Sequence, residues 1–435
     1  YLFILAILPM IWAGFCLSIH SWQKSKKSAS FDFSHWFRLR LQSLLTFSLA
    51  AVLFTIAYYS INQVVPQKRQ DQAVVISPAT LAAHLYLPSN WVAGLAMSAS
   101  NSVQGAISNR QLKNPVNSFE YIAPQTLDDV HVVLVIGESA RSMNFSLLGY
   151  NRPNNDLLNQ QKNLVAFKAQ SCNTSTKLSL LWLVVRPAAV SEKGMQAPII
   201  SEQAVFSVLK SLGFTIDLFA MQSEVWFYNS VNADFYKIRE IIAAQSHNIG
   251  KAQYDEMLIP ELKDSVNKHA KGKHLVILHT KGSHYLYTSR YPRSFARYQP
   301  ECQGLDSGCS KQEMINSYDN SILYLDYFLN QVYNTVKDKK ALVIYVPDHG
   351  ESIEENNHFH ATPKPLAPPE QTSIPLMVWA SPGFLSEPSH EKLFARLKSK
   401  SHQTASHEQL FDSILGCLNI QSNNGGINSA RNLCH

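Results

Sequence analysis

Apolar residues come first in this chain, and in long blocks. Positions 1–19 carry no charged side chain, and a second apolar stretch runs from about 41 to 59. Each approaches the roughly 20 residues that a helix needs to cross a bilayer, so both predict membrane spans rather than buried core helices. Between them lie Lys24, Lys26, Lys27, Arg38 and Arg40 against one acid, Asp32. That excess marks the loop as cytoplasmic and sends everything after residue 60 to the far side of the membrane. The chain begins with Tyr1 inside an apolar run without the basic start of a signal peptide. The expectation is a protein missing its natural N-terminus.

Positions 61–125 mix polar residues with short apolar segments and predict a connector at the membrane interface or packed on the domain. From about 126 to 435 the pattern changes. Short apolar blocks at 131–136, 214–219, 275–279, 341–346 and 375–379 read as buried strands. Helical stretches at 203–212 and 312–336 lie between them. Alternation of this kind predicts an α/β domain, a mostly parallel sheet with helices on both faces.

Composition narrows this picture. The chain is 46% hydrophobic, 16% charged and +6 in net charge. No dense basic stripe with interleaved aromatics is present, which argues against nucleic acid as a partner. Cys302 with Cys309, and Cys417 with Cys434, are short local pairs without metal-type CxxC spacing. In an exported domain they predict loop-stapling disulfides. Cys172 is left over.

Candidate chemistry gathers at strand ends, where open α/β sheets bind ligands. The block 341–346 leads into Pro347-Asp348-His349-Gly350-Glu351-Ser352, an oxygen and nitrogen pair suited to zinc, or else a solvated turn. The first strand ends in Gly137-Glu138-Ser139-Ala140-Arg141. Arg141 stands where a serine-hydrolase elbow needs glycine, so Glu138 is the residue of interest. The run Cys172-Asn173-Thr174-Ser175-Thr176 precedes an apolar helix. It supplies either an N-cap or an activated hydroxyl, and spacing does not choose among the hydroxyls. His279 and His284 flank a glycine turn, and His358 and His360 lie in a later loop. Together these groups are what metal-assisted phosphoryl transfer requires.

The motifs Gly137-Glu138-Ser139-Ala140-Arg141, Cys172 to Thr176, Gly282-Ser283-His284 and Asp348 to Ser352 resemble those of bacterial lipopolysaccharide phosphoethanolamine transferases. These belong to the alkaline phosphatase and sulfatase superfamily. The segments 279–284, 290–296 and the C-terminus are similar to the branch that modifies Kdo. The resemblance implies that Glu138, Thr176, Asp348 and His349 ligate Zn2+ and that Thr176 is the nucleophile. It implies that His284 and His360 hold the donor phosphate or a second zinc ion. It further implies phosphatidylethanolamine as donor and Kdo2-lipid A, or a lipid A phosphate, as acceptor. The protein would be a monomer in the bacterial inner membrane with its catalytic domain in the periplasm. Relatives pair the cysteine at position 172 with one ten residues on, where this chain has Trp182, so that bridge is absent. The rival readings are a phosphodiesterase or sulfatase-type hydrolase, and a non-catalytic membrane-anchored paralogue.

Overall fold

A computed structural model describes residues 112–435 apart from 193–197, 239–253, 304–307 and 354–360, together with Leu41. The chain divides into two units, Tyr1–Gln104 and Gly105–His435, and all described residues except Leu41 belong to the second. The two apolar runs, Leu41 apart, and the histidines His358 and His360 lie outside the described residues. No helix among the described residues is long and apolar enough to cross a membrane.

The second unit is built on an eight-stranded sheet. Its strands are β1 Val130–Gly137, β2 Leu164–Gln170, β5 Phe214–Ala220, β6 Phe235–Ile238, β7 Lys273–His279, β8 Lys340–Pro347, β9 Ser373–Ala380 and β10 Ala405–Ser406. A separate two-stranded ribbon pairs β3 Val190–Ser191 with β4 Ile199–Ile200. The large sheet runs in the order β10-β2-β9-β8-β1-β7-β5-β6. Its pairings are parallel except where β9 lies antiparallel between β2 and β8. The predicted parallel character therefore holds, with one strand reversed.

Strand β1 explains why the central blocks read as unbroken apolar runs. It has helices on both sides and is buried at all eight positions. Val132, Leu134 and Ile136 enter one core, whereas Val133 and Val135 enter the other. The first core is closed by α1 Thr176–Trp182, α2 Val205–Ser211, α5 Pro388–Ser399 and α6 Leu410–Cys417. The second is closed by α3 Leu258–Lys268 and α4 Lys311–Val336. A capping box between Ser310 and Glu313 starts α4, satisfying donors that the first helical turn leaves open.

Strand β2 escaped the sequence pattern. Its burial alternates from Leu164 to Gln170, with Lys168 and Gln170 exposed. That signature is shorter and weaker than a continuous apolar block. Both predicted disulfides are present, Cys302–Cys309 and Cys417–Cys434, and Cys172 is free and buried.

Candidate active site

The four groups Glu138, Thr176, Asp348 and His349 meet at the carboxyl edge of the sheet. Glu138 and Asp348 leave the ends of β1 and β8, which are adjacent and paired through Gly137 and Pro347. Two neighbouring parallel strands thus deliver two carboxylates to one point. Thr176 is the first residue of α1, where Ser175 occupies the N-cap position without a capping side-chain bond. The hydroxyl of Thr176 donates to Glu138 Oε2 at 3.1 Å and lies 3.5 Å from His349 Nε2. His349 Nε2 is 3.3 Å from Glu138 Oε1 and 3.5 Å from Asp348 Oδ2. Ligands on a four-coordinate zinc at about 2.0–2.1 Å are separated by roughly 3.3–3.5 Å, so these spacings suit one ion.

Hydrogen bonds orient each donor. His349 Nδ1 donates to the Gly350 carbonyl at 2.7 Å, which turns Nε2 toward the carboxylates. Asp348 Oδ1 accepts from the His349 and Ser139 backbone N–H groups, while its buried Oδ2 has no hydrogen-bond partner. A buried carboxylate oxygen without a donor is costly unless a cation faces it. Two carboxylates, an imidazole and a hydroxyl form an oxygen and nitrogen set that fits zinc.

The charges agree with the geometry. Burial pushes the Asp348 carboxyl up, and the neighbouring Glu138 carboxylate pushes it further. Burial acts upward on Glu138 too, but His349, His284 and hydrogen bonds from Gln222 and Ser139 outweigh it and hold this carboxyl low. Burial favours neutral His349, yet Asp348, Glu138 and Glu351 overcome that and raise it to about 9. Excess negative charge in a buried pocket is what a divalent cation neutralises.

Backbone strain supports the arrangement. Ser139 sits at φ 54, a left-handed conformation uncommon for serine. Three ties hold it there. Its hydroxyl donates to Glu138 Oε1, its N–H donates to Asp348 Oδ1, and its carbonyl accepts from Tyr318. Gly282, at φ +54, passes so close to Glu138 that a Cβ would meet its carbonyl oxygen at 2.6 Å. Gly350 packs equally tightly against the Glu370 carbonyl.

His284 is partly buried beside Tyr285, near enough for its charge to depress Glu138. Its turn is fixed by Asp255, which accepts from the N–H groups of Lys281 and Gly282. His279 ends β7 fully buried, within hydrogen-bond reach of Tyr228. Burial depresses its imidazole to about 4.

Two residues escaped the sequence pattern. Gln222, just past β5, donates to Glu138 Oε2 at 2.7 Å and to the Thr280 carbonyl at 3.0 Å. Its position beyond a strand end was the available signal. His407 lies 235 residues from Cys172 and had none. It accepts from the Cys172 N–H at 3.1 Å and donates through Nε2 to the Pro347 carbonyl at 2.9 Å. A single imidazole therefore ties the segment before Thr176 to the strand before Asp348. Trp182 is buried, with the Lys364 ammonium 4.5 Å from its ring centre.

Comparison with known proteins gives a consistent pattern. Residues 130–420 match the family model described as Sulfatase. The chain is 45% identical over 401 residues to the Kdo(2)-lipid A phosphoethanolamine 7''-transferase of Escherichia coli K12, covering 91% of this chain and 70% of that protein. It is 46% identical to the enzyme of the same name from Salmonella typhimurium LT2, covering 85% of this chain and 66% of that one. The chain thus spans about two thirds of the length of these relatives. Among solved structures, the soluble domain of lipooligosaccharide phosphoethanolamine transferase A from Neisseria meningitidis superposes with a TM-score of 0.64 at 26% identity. That match covers 74% of this chain and 97% of that domain.

Proposed function

Because the chain belongs to the Sulfatase family, and within it to the phosphoethanolamine transferases, we propose that it moves phosphoethanolamine from phosphatidylethanolamine to Kdo2-lipid A through Thr176. The observation that carries this reading is the meeting of the Thr176 hydroxyl with Glu138, Asp348 and His349 at one buried point. Zinc held by these four residues would supply positive charge that makes the threonine oxygen nucleophilic and offsets the charge of the phosphate.

The protein's own groups account for the rest. The Thr176 hydroxyl points its proton at Glu138 Oε2, leaving lone pairs for the phosphorus. Its oxygen forms a bond to phosphorus as the bond to the diacylglycerol oxygen breaks. His284 protonates that leaving oxygen or positions the phosphate. A Kdo hydroxyl then attacks the phosphorylated threonine, restoring the free side chain. His360 shares the phosphate-holding task in this reading. Gln222 keeps Glu138 ionised and oriented.

Both donor and acceptor are lipids. An anchor in the inner membrane with the catalytic unit in the periplasm suits that chemistry, and the two disulfides suit an oxidising compartment. The protein acts as a monomer in this scheme.

The test is mass spectrometry of lipid A and core sugars from a strain lacking its own transferases. Expression of the protein should add a phosphoethanolamine increment on Kdo, and Thr176→Ala should abolish it. An unchanged spectrum from zinc-loaded protein would sink the proposal, and phosphoethanolamine released to water would establish a hydrolase instead.

A further inference from the structure

A second cluster of metal-type side chains lies on the same sheet, away from the site above. Asp217 on β5 and His274 on β7 are buried side chains pointing to one face, as the pairing of Thr215 with His274 and of Asp217 with Val276 requires. His269, at the end of α3, closes over them. Its side chain keeps 20% exposure, an access route from solvent. His274 is the second residue of its strand, whereas Glu138 follows the last residue of its own, so the clusters occupy opposite edges of the sheet.

We propose that Asp217, His269 and His274 form a second, structural zinc site at the amino edge of the sheet. Asp217 Oδ2 lies 3.4 Å from His269 Nε2 and 3.5 Å from His274 Nε2, and one ligand atom from each residue lies within 4.8 Å of the others. The two distances from Asp217 Oδ2 match the roughly 3.3–3.5 Å expected between ligands of one tetrahedral ion. The hydrogen bonds by themselves leave the cluster incomplete. Asp217 Oδ1 and His269 Nε2 are buried without a hydrogen-bond partner. Ser265 donates its only hydroxyl proton to Asp217 Oδ2 at 2.7 Å. Its oxygen then lies 3.3 Å from His274 Nε2, close enough to take the fourth position or to share it with water.

His131 decides which nitrogen of His274 is free. The two Nδ1 atoms are 3.2 Å apart, so one donates and the other accepts. If His274 Nδ1 donates, its Nε2 lone pair faces Asp217 and His269. His131 then acts as the outer partner that a ligating histidine normally has.

A zinc ion here would clamp α3 to strands β5 and β7. Zinc content of the full-length protein in detergent tests this. About two ions per chain are expected in the wild type, about one in Glu138→Ala/Asp348→Ala, and none when His269→Gln and His274→Gln are added. A folded Glu138→Ala/Asp348→Ala protein that binds no zinc overturns the proposal. Cobalt(II) loaded into that double variant gives a readout that does not depend on His274. A visible band of tetrahedral cobalt that disappears in His269→Gln, with the far-UV spectrum retained, supports the site. A band that persists unchanged in His269→Gln overturns it.

Discussion

The sheet carries a carboxylate and histidine cluster at each edge, and the two differ in charge. At the carboxyl edge Glu138 and Asp348 bring two negative groups to one imidazole and one hydroxyl. At the amino edge Asp217 alone faces His269, His274 and, behind them, His131. The first set is built from three chain segments, the ends of two adjacent strands and a helix start. The second is built from two strands and the helix between them. In the readings proposed above both hold zinc, but only in the first does a hydroxyl, that of Thr176, serve as a nucleophile, whereas that of Ser265 donates to Asp217. What separates a reactive site from a structural one here is the group that shares the metal ligands, not the ligands themselves.

Removing that hydroxyl should have the largest effect. Thr176→Ala is expected to lower transfer by about 10³-fold or more, equivalent to about 4 kcal/mol of barrier, with zinc still bound. Measured lipid modification and metal content together check this; retained transfer would end the distinction between the edges. Gln222→Ala should come next, lowering metal affinity or turnover about 10–100-fold because Glu138 loses its orienting donor. A zinc competition titration measures it, and an unchanged affinity would show that Gln222 only fills space.

His407→Gln should cost about 1–3 kcal/mol, since two buried backbone partners lose their imidazole. Urea unfolding checks the loss. A pH series sharpens it. Burial depresses His407 to about 3, below the usual value of about 6.5, so the unfolded chain takes up the proton first. Its contribution is complete above about pH 6.5 and is lost as pH falls toward about 3. The variant should show a shallower acid slope than the wild type. Smallest in activity is His274→Gln, expected to change turnover by less than about twofold while lowering the melting temperature by about 2–4 °C per kcal/mol lost. A collapse of turnover at unchanged melting temperature would break the comparison from the other side.

Much of this was legible in the sequence. The apolar blocks at 131–136, 275–279 and 341–346 mark strands because burial on both faces demands apolar residues throughout. Glu138 and Asp348 could be picked out because they follow such blocks directly. Both disulfides could be read from short spacing. Strand β2 could not, since its alternation is brief. Nor was Gln222 picked out, because its place beyond a strand end is a weak signal until its partner Glu138 is known.

Local order thus determined the strands, the reactive groups at their ends and the family resemblance, because those depend on patterns within a few residues. The convergence was decided only in three dimensions. That β1 lies beside β8, that His407 reaches Cys172, and that Asp217 faces His269 and His274 all depend on strand order and register. Those follow from how two cores close on opposite faces of one sheet, a condition no short stretch of the chain contains.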